Sequence, residues 1–501
     1  MTTGQDSVTN LEQKLPDSFY WSMLIGMQLC VFMCTFDSGV VNLALPVIRK
    51  QLHLTLAEVK WVAICYTATA ALTLPVSAWL GRRFGIRRMF LFGVALFTLA
   101  SGSCGLSWNL PSLIALRIAA AMGASLILSL NKVIVLRVFP RSMHGRALGV
   151  AGTTFALGIL CGLGAGGILI HLWSWRSIFL ISFPIGLIAL PWNFIMTKRS
   201  GIQRDANIAL AFDWQGMLWM AAGFGALVWI VNHWLSKSNN SLFLSLSTTL
   251  IGMIMIVGWL RHEFCHEESF LHLRLLRISP LGYNFMNGFS VRVLMGITNF
   301  IIPFYLQTVL MLTPAKAGLV LAAGAISMGI IGPFAGAMSD RRGMQKTIAL
   351  GLVLMTLGIA GFIVLPSSIE NPAIYTRYII GIIVLQVLIG CGSTFFSAAN
   401  TNSSLHSITR DHQASIAGLL SVNLMAGSAI GTTLAGEFFN LIGGVKHIKD
   451  AAAQTTSLVF PPHAFAWLFG TCTVWLIILT LYATIRRETT VPITNLSGEL
   501  S

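Results

Sequence analysis

Asp37 stands in FDSGVVNLALP, within an apolar run from about Phe19 to Ile48 that holds no other charged group. A run of this length can span the roughly 30 Å hydrocarbon of a bilayer, where a carboxylate near the middle costs about 2.5 to 3.5 kcal/mol on insertion scales. A carboxylate tolerated there has a use. Neutral when buried and charged when opposed by a cation or water, it can exchange its proton for a substrate. Arg117, a third of the way into a later apolar run, should face protein rather than lipid. It either hydrogen-bonds loop or helix carbonyls or takes part in proton coupling or substrate binding. Arg292 lies in NFMNGFSVRVLMGITNF with Asn284, Asn287, Ser290 and Asn299 at helical spacing, and Gln307 follows in PFYLQTVL. Polar residues at this density line a substrate pocket better than a lipid face; snorkelling of Arg292 to the interface is the alternative. With both arginines in one cavity the net charge is positive even with Asp37 ionised, since guanidinium keeps its proton. Anionic or zwitterionic substrates are then expected.

The elements that must position these groups are membrane helices. Of 501 residues, 55% are hydrophobic and 10% charged, against roughly 25% charged in a soluble domain. About fourteen segments are long enough to span. The net charge of +15 is spread over short loops between apolar runs, the pattern of membrane topology and not of a nucleic-acid surface. With both termini in the cytoplasm, most of the 32 Lys and Arg residues fall inside. Arg49, Lys50, Lys60, Lys446 and Lys449 fall outside. Glu437 and His171, near span ends, are expected to be solvated, and Lys132, within a span, to snorkel.

The sequence also repeats. LALPV around Pro46 and IIPFY around Pro303 each end a long span; LGRRFGIRR and MSDRRGMQK each follow the next. The common offset suggests two parallel six-helix halves with two inserted helices. The fold expected is an all-α integral membrane protein: a cytoplasmic tail 1–18, a first half 19–198, an inserted segment 199–280, a second half 281–487 and a cytoplasmic tail 488–501. In GAMSDRRG, Asp340 beside Arg341 and Arg342, closed by Gly343, reads as a cytoplasmic latch. Its partner loop has Arg82, Arg83, Gly85 and Arg87, with Arg82 where the second copy has Asp340. Gly158, Gly162 and Gly166 recur every four residues beside Gly167, which suits close helix packing and the sealing of one face of a transport path.

Other chemistry is thinly supported. RHEFCHEE places His262, Cys265 and His266 on one helical face, but a mixed loop needs no metal, and none is assigned. The cysteines mostly lie in apolar runs and imply no disulfide framework. No GxxxxGK[ST] phosphate loop occurs, which disfavours ATP-driven transport by this chain alone. No nucleophile motif suggests an enzyme, and no cofactor is expected.

Together these motifs resemble the major facilitator superfamily, specifically its fourteen-span drug:proton antiporters. The residues carrying the resemblance are FDSGVVNLALP, WVAICY at 61–66, the basic turn at 81–88, LIALRIAAAMGA at 113–124, the glycine run at 158–167, SWRSIFLISFPIGLIAL, PFYLQTVL and GAMSDRRG. The resemblance implies that Asp37 is the first-helix carboxylate and Arg117 the fourth-helix arginine of proton coupling. The chain departs from the pattern at Ala78 and Arg82, usually Gly and Asp; at Ala120 and Ala121, usually Gln and Gly; and at Leu163, usually Pro. The function expected is secondary active transport of a small amphipathic molecule across the bacterial inner membrane by alternating access, as proton-coupled, multidrug-type efflux. The partners are a small-molecule substrate, protons and the lipid bilayer. A dedicated metabolite or siderophore carrier, with an anionic substrate and possible import, is the alternative, and a non-transporting receptor a remote one.

Overall fold

The structure is a computed structural model and describes residues 16–200, 213–235, 242–265, 273–277, 279–364, 372–406, 413–441, 446–449, 456–459 and 462–485. Most of both expected tails lies outside the described residues, as do His266 and Glu267 of RHEFCHEE.

Among the described residues there are fourteen long helices: α1 Asp17–Gln51, α2 Trp61–Phe84, α3 Ile86–Cys104, α4 Leu110–Val138, α5 Arg141–Leu172, α6 Ser182–Arg199, α7 Trp214–Leu235, α8 Leu242–Cys265, α9 Ser279–Phe304, α10 Pro314–Arg342, α11 Met344–Gly361, α12 Pro372–His406, α13 Gln413–Leu441 and α14 Pro462–Ile485. Twelve are long and apolar enough to cross a membrane on the residues described, and α7 and α8 add an apolar pair. One feature departs from the all-α expectation. The strands Lys446–Lys449 and Thr456–Val459 form a short antiparallel hairpin between α13 and α14.

Local chemistry sets the breaks. Thr55 and Glu58 form a capping box that starts a single helical turn, Leu56–Val59, just before α2. Asn109 and Ser112 do the same for α4, with a proline in its first turn. The two halves break their helices alike. Gly85 and Gly343, with φ of 96° and 90°, end α2 and α10, while His53 and Met311, with φ of 52° and 51°, follow the first helix of each half. Each pair is 258 residues apart, so the weak repeat in sequence becomes a repeat of backbone conformation in which left-handed residues stop the same helices.

Packing follows the same symmetry. In the first half α1 packs on α5, α4 on α2 and α3, and α6 on α3; in the second, α9 packs on α13, α12 on α10 and α11, and α14 on α11. Glycines permit the closest approaches. A Cβ at Gly39 would lie 2.9 Å from the Ile159 carbonyl oxygen, and one at Gly296 would lie 2.5 Å from that of Ser428. With no hydrophobic drive between helices in lipid, contact through small residues holds such bundles together. The pair α7–α8 packs beside α13 and α2.

The halves meet through α2 with α13 and α5 with α10. At the end of the bundle remote from the termini, here the distal end, one apolar core containing Leu43, Ile48, Val59, Phe300, Phe304 and Leu312 crosses both halves. There a Cβ at Gly167 would lie 2.6 Å from the Pro314 carbonyl oxygen, and Gly318 lies against the Leu163 carbonyl. Along the face of α10 that begins at Gly318, Gly329, Gly332 and Gly336 have open space before them, as does Gly152 of α5. The same two helix faces that touch at the distal end part toward the terminal end.

Candidate functional site

Asp37 and Arg117 are brought together. Gly158, Gly162 and Gly166 seat α1 on α5, against Thr35, Phe36 and Val40 respectively. This fixes Asp37 toward α4, where Arg117 Nη1 donates to Asp37 Oδ2 over 2.6 Å. The carboxylate is 0% and the arginine 1% exposed. The guanidinium lies over the Tyr66 ring, 4.1 Å from its centroid, and near Phe179 at 5.6 Å. The arginine is thus held by a carboxylate and by aromatic faces, which attract a desolvated cation. Asp37 Oδ1 and Arg117 Nε have no hydrogen-bond partner among the described residues. The expectation of two arginines in one cavity is therefore corrected: Arg117 is paired with Asp37 in the first half, apart from the recess that holds Arg292.

Arg292 lies elsewhere, in the second half. It lines a recess of about 40 Å³ between α9, α12 and α13, with Gly288, Ser397, Asn400, Thr401 and Asn423 among its walls. Arg292 Nη2 donates to Ser397 Oγ over 3.0 Å. Asn284, buried, donates to Ser403 Oγ at 2.8 Å, and Asn287 is buried nearby on α9. Asn299 is exposed, two turns further along the helix, and does not line the recess. Gln307, in the π-helical turn Tyr305–Val309 after α9, donates to the Leu43 carbonyl over 2.9 Å and so ties one half to the other. Ser397, Asn400 and Asn423 were not singled out from sequence. The polar run FFSAANTNSS within apolar α12 was the available signal.

Two expectations about span ends are corrected. Lys60 was placed in an outside loop and Glu437 in solvent; they form a buried ion pair, 0% and 1% exposed, joining α2 of one half to α13 of the other. The capped turn Leu56–Val59 tucks Lys60 inward, and its stem runs against Gly436, where a side chain would block it. His171 and Lys132 are exposed, as expected.

The basic loops are open to solvent. Arg82, Arg83, Arg341 and Arg342 are exposed, and Arg87 bonds Thr197 Oγ1 over 3.3 Å and stacks on Phe194, joining α3 to α6. The side chain of Asp340 lies outside the described residues. His262 pairs with Asp213 at 3.0 Å, and no group able to hold a metal occurs among the described residues. A further recess, of about 640 Å³, lies near the end of α5 and is lined by Leu169, Trp173, Arg176 and Leu180.

With this geometry in hand, comparison with known proteins fixes the family. The Major Facilitator Superfamily profile matches residues 27–432 and 284–499, and the chain belongs to that superfamily. It is 27% identical over 462 residues to the riboflavin transporter RibZ of Clostridioides difficile strain 630, covering 92% of this chain and 97% of that one. It is 28% identical over 459 residues to a protein of Escherichia coli O157:H7 provisionally named multidrug resistance protein MdtD, covering 91% and 92%. Among solved structures, a peptide transporter POT in complex with sulfate superposes with a TM-score of 0.67 at 15% identity, covering 92% of this chain and 94% of that one. The protein is a multi-pass membrane transporter of this superfamily.

Proposed function

We propose that this transporter exports a small amphipathic molecule in exchange for protons, by alternating access in a bacterial inner membrane with both termini in the cytoplasm. The observation that carries the reading is the buried Asp37–Arg117 pair, in which one carboxylate oxygen is engaged and the other is free to take a proton. Protonating Asp37 removes the attraction that offsets the burial of Arg117, so the bundle's preferred state changes with the proton. Residues 19–198 and 281–487 serve as the rocking halves, with 199–280 as the insert. The open terminal end then faces the cytoplasm and the closed distal end faces outward. The resemblance of Asp37 and Arg117 to the coupling residues of drug:proton antiporters, and the likeness to MdtD, support efflux. Uptake into proteoliposomes under an imposed pH gradient, with a panel of cationic and anionic compounds, tests it.

A second reading is a dedicated carrier for an anionic metabolite. Arg292, which has no carboxylate partner among the described residues, and the likeness to a riboflavin transporter favour it.

A further inference from the structure

Arg292 presents a charge with no carboxylate partner among the described residues. Its one described hydrogen bond goes to Ser397 Oγ, a neutral hydroxyl, which leaves most of its five N–H donors to other acceptors. The opposite wall carries Asn400, 5% exposed, whose Oδ1 has no hydrogen-bond partner among the described residues. Asn423 commits its Nδ2 to the Phe285 carbonyl at 2.8 Å, which keeps its amide oriented. Two glycines make the space. A Cβ at Gly427 would lie 2.7 Å from the Arg292 Cβ, so only glycine lets the arginine stem pass α13, and a Cβ at Gly288 would lie 3.0 Å from the Asn400 amide nitrogen.

The recess thus combines a cationic donor on α9 with a hydroxyl and an amide acceptor on α12, and α13 closes it with Asn423. One water needs about 10 to 15 Å³ on this scale, so about 40 Å³ takes a group of a few heavy atoms and no ring. We propose that the recess between α9, α12 and α13 binds the anionic head group of the substrate, a carboxylate flanked by its own N–H or O–H donor, while the apolar body of the molecule, too large for it, stays outside. The carboxylate pairs with the Arg292 guanidinium and the flanking donor with Asn400 Oδ1. This deepens the transport reading by naming a substrate class, and rests on it only for the word substrate, since binding is measurable without transport.

The test uses the full chain purified in detergent, with two fluorescent probes that share a body. Dansylglycine carries a carboxylate one carbon from its sulfonamide N–H; dansylcadaverine carries an ammonium instead. Dansylglycine should bind more tightly. Arg292→Ala should weaken it about tenfold to a hundredfold, the usual loss for a hydrogen bond to a charged group, and leave dansylcadaverine unchanged. If Arg292→Ala does not fold, Asn400→Asp keeps the shape of the wall and sets a carboxylate opposite Arg292; it should weaken dansylglycine selectively by a similar factor. Tighter binding of dansylcadaverine by the wild type, or equal losses for both probes in either variant, overturns the proposal. Selective anion binding without any pH-driven flux would instead leave this site standing and remove proton coupling.

Discussion

Lys60, the residue before α2, and Glu437 of α13 form a buried ion pair across the seam between the two halves, at the end where those halves are closed. Removing one partner of such a pair costs about 3 to 5 kcal/mol, because the other charge stays in the interior. Glu437→Gln should therefore lower the thermal stability of the purified protein markedly, and the double variant Lys60→Met/Glu437→Met should recover most of it. Melting curves in one detergent decide this. An unchanged midpoint for Glu437→Gln would mean that the pair contributes nothing to the closed end.

The helix order puts the end of α8 on the same side of the membrane as the N-terminus. Cys265, the one exposed cysteine of the eight, sits there, and Arg274 donates to the Phe264 and Cys265 carbonyls at 2.7 Å each, closing the last turn. A membrane-impermeant thiol reagent should label the protein in inside-out vesicles and leave it unlabelled in intact cells. Labelling of Cys265 in intact cells would reverse the orientation of the bundle.

Glycines that look alike in the sequence differ in what surrounds them. A Cβ at Gly162 would lie 2.5 Å from the Phe36 carbonyl oxygen, whereas Gly164 has open space before it. Gly162→Ala must push α1 off α5 one residue from Asp37, an overpacking cost of about 1 to 3 kcal/mol. It should reduce both stability and pH-driven flux. Gly164→Ala should change neither. Equal behaviour of the two variants in flux assays would separate the seating of α1 from function.

The sequence made the helices legible because each is a long apolar run, and the repeat legible because LALPV and IIPFY, and LGRRFGIRR and MSDRRGMQK, recur at a common offset. Asp37 and Arg117 stood out singly, as charges in apolar runs. Their pairing was hidden, since α1 and α4 meet through a packing that no local spacing encodes. Lys60 and Glu437 were misread for a related reason. Position near a span end predicts solvent, but the Thr55–Glu58 capping box and the bare surface of Gly436 draw both charges inward. Asn299 shares a helical face with Arg292 yet lies about 10 Å further along the axis, and periodicity is blind to that displacement.

The central claim is that the proton moves on Asp37. Asp37→Asn alone leaves Arg117 buried without its carboxylate, so the informative protein is Asp37→Asn/Arg117→Gln, which removes both charges and keeps the shapes. The measurement is proton release by purified protein in weakly buffered detergent solution on addition of whichever dansyl probe binds more tightly, read with a pH indicator. The wild type should release protons on binding, and the double variant should bind the probe and release none. Undiminished proton release from the double variant would show that Asp37 and Arg117 only hold α1 to α4, and that the coupling group lies elsewhere.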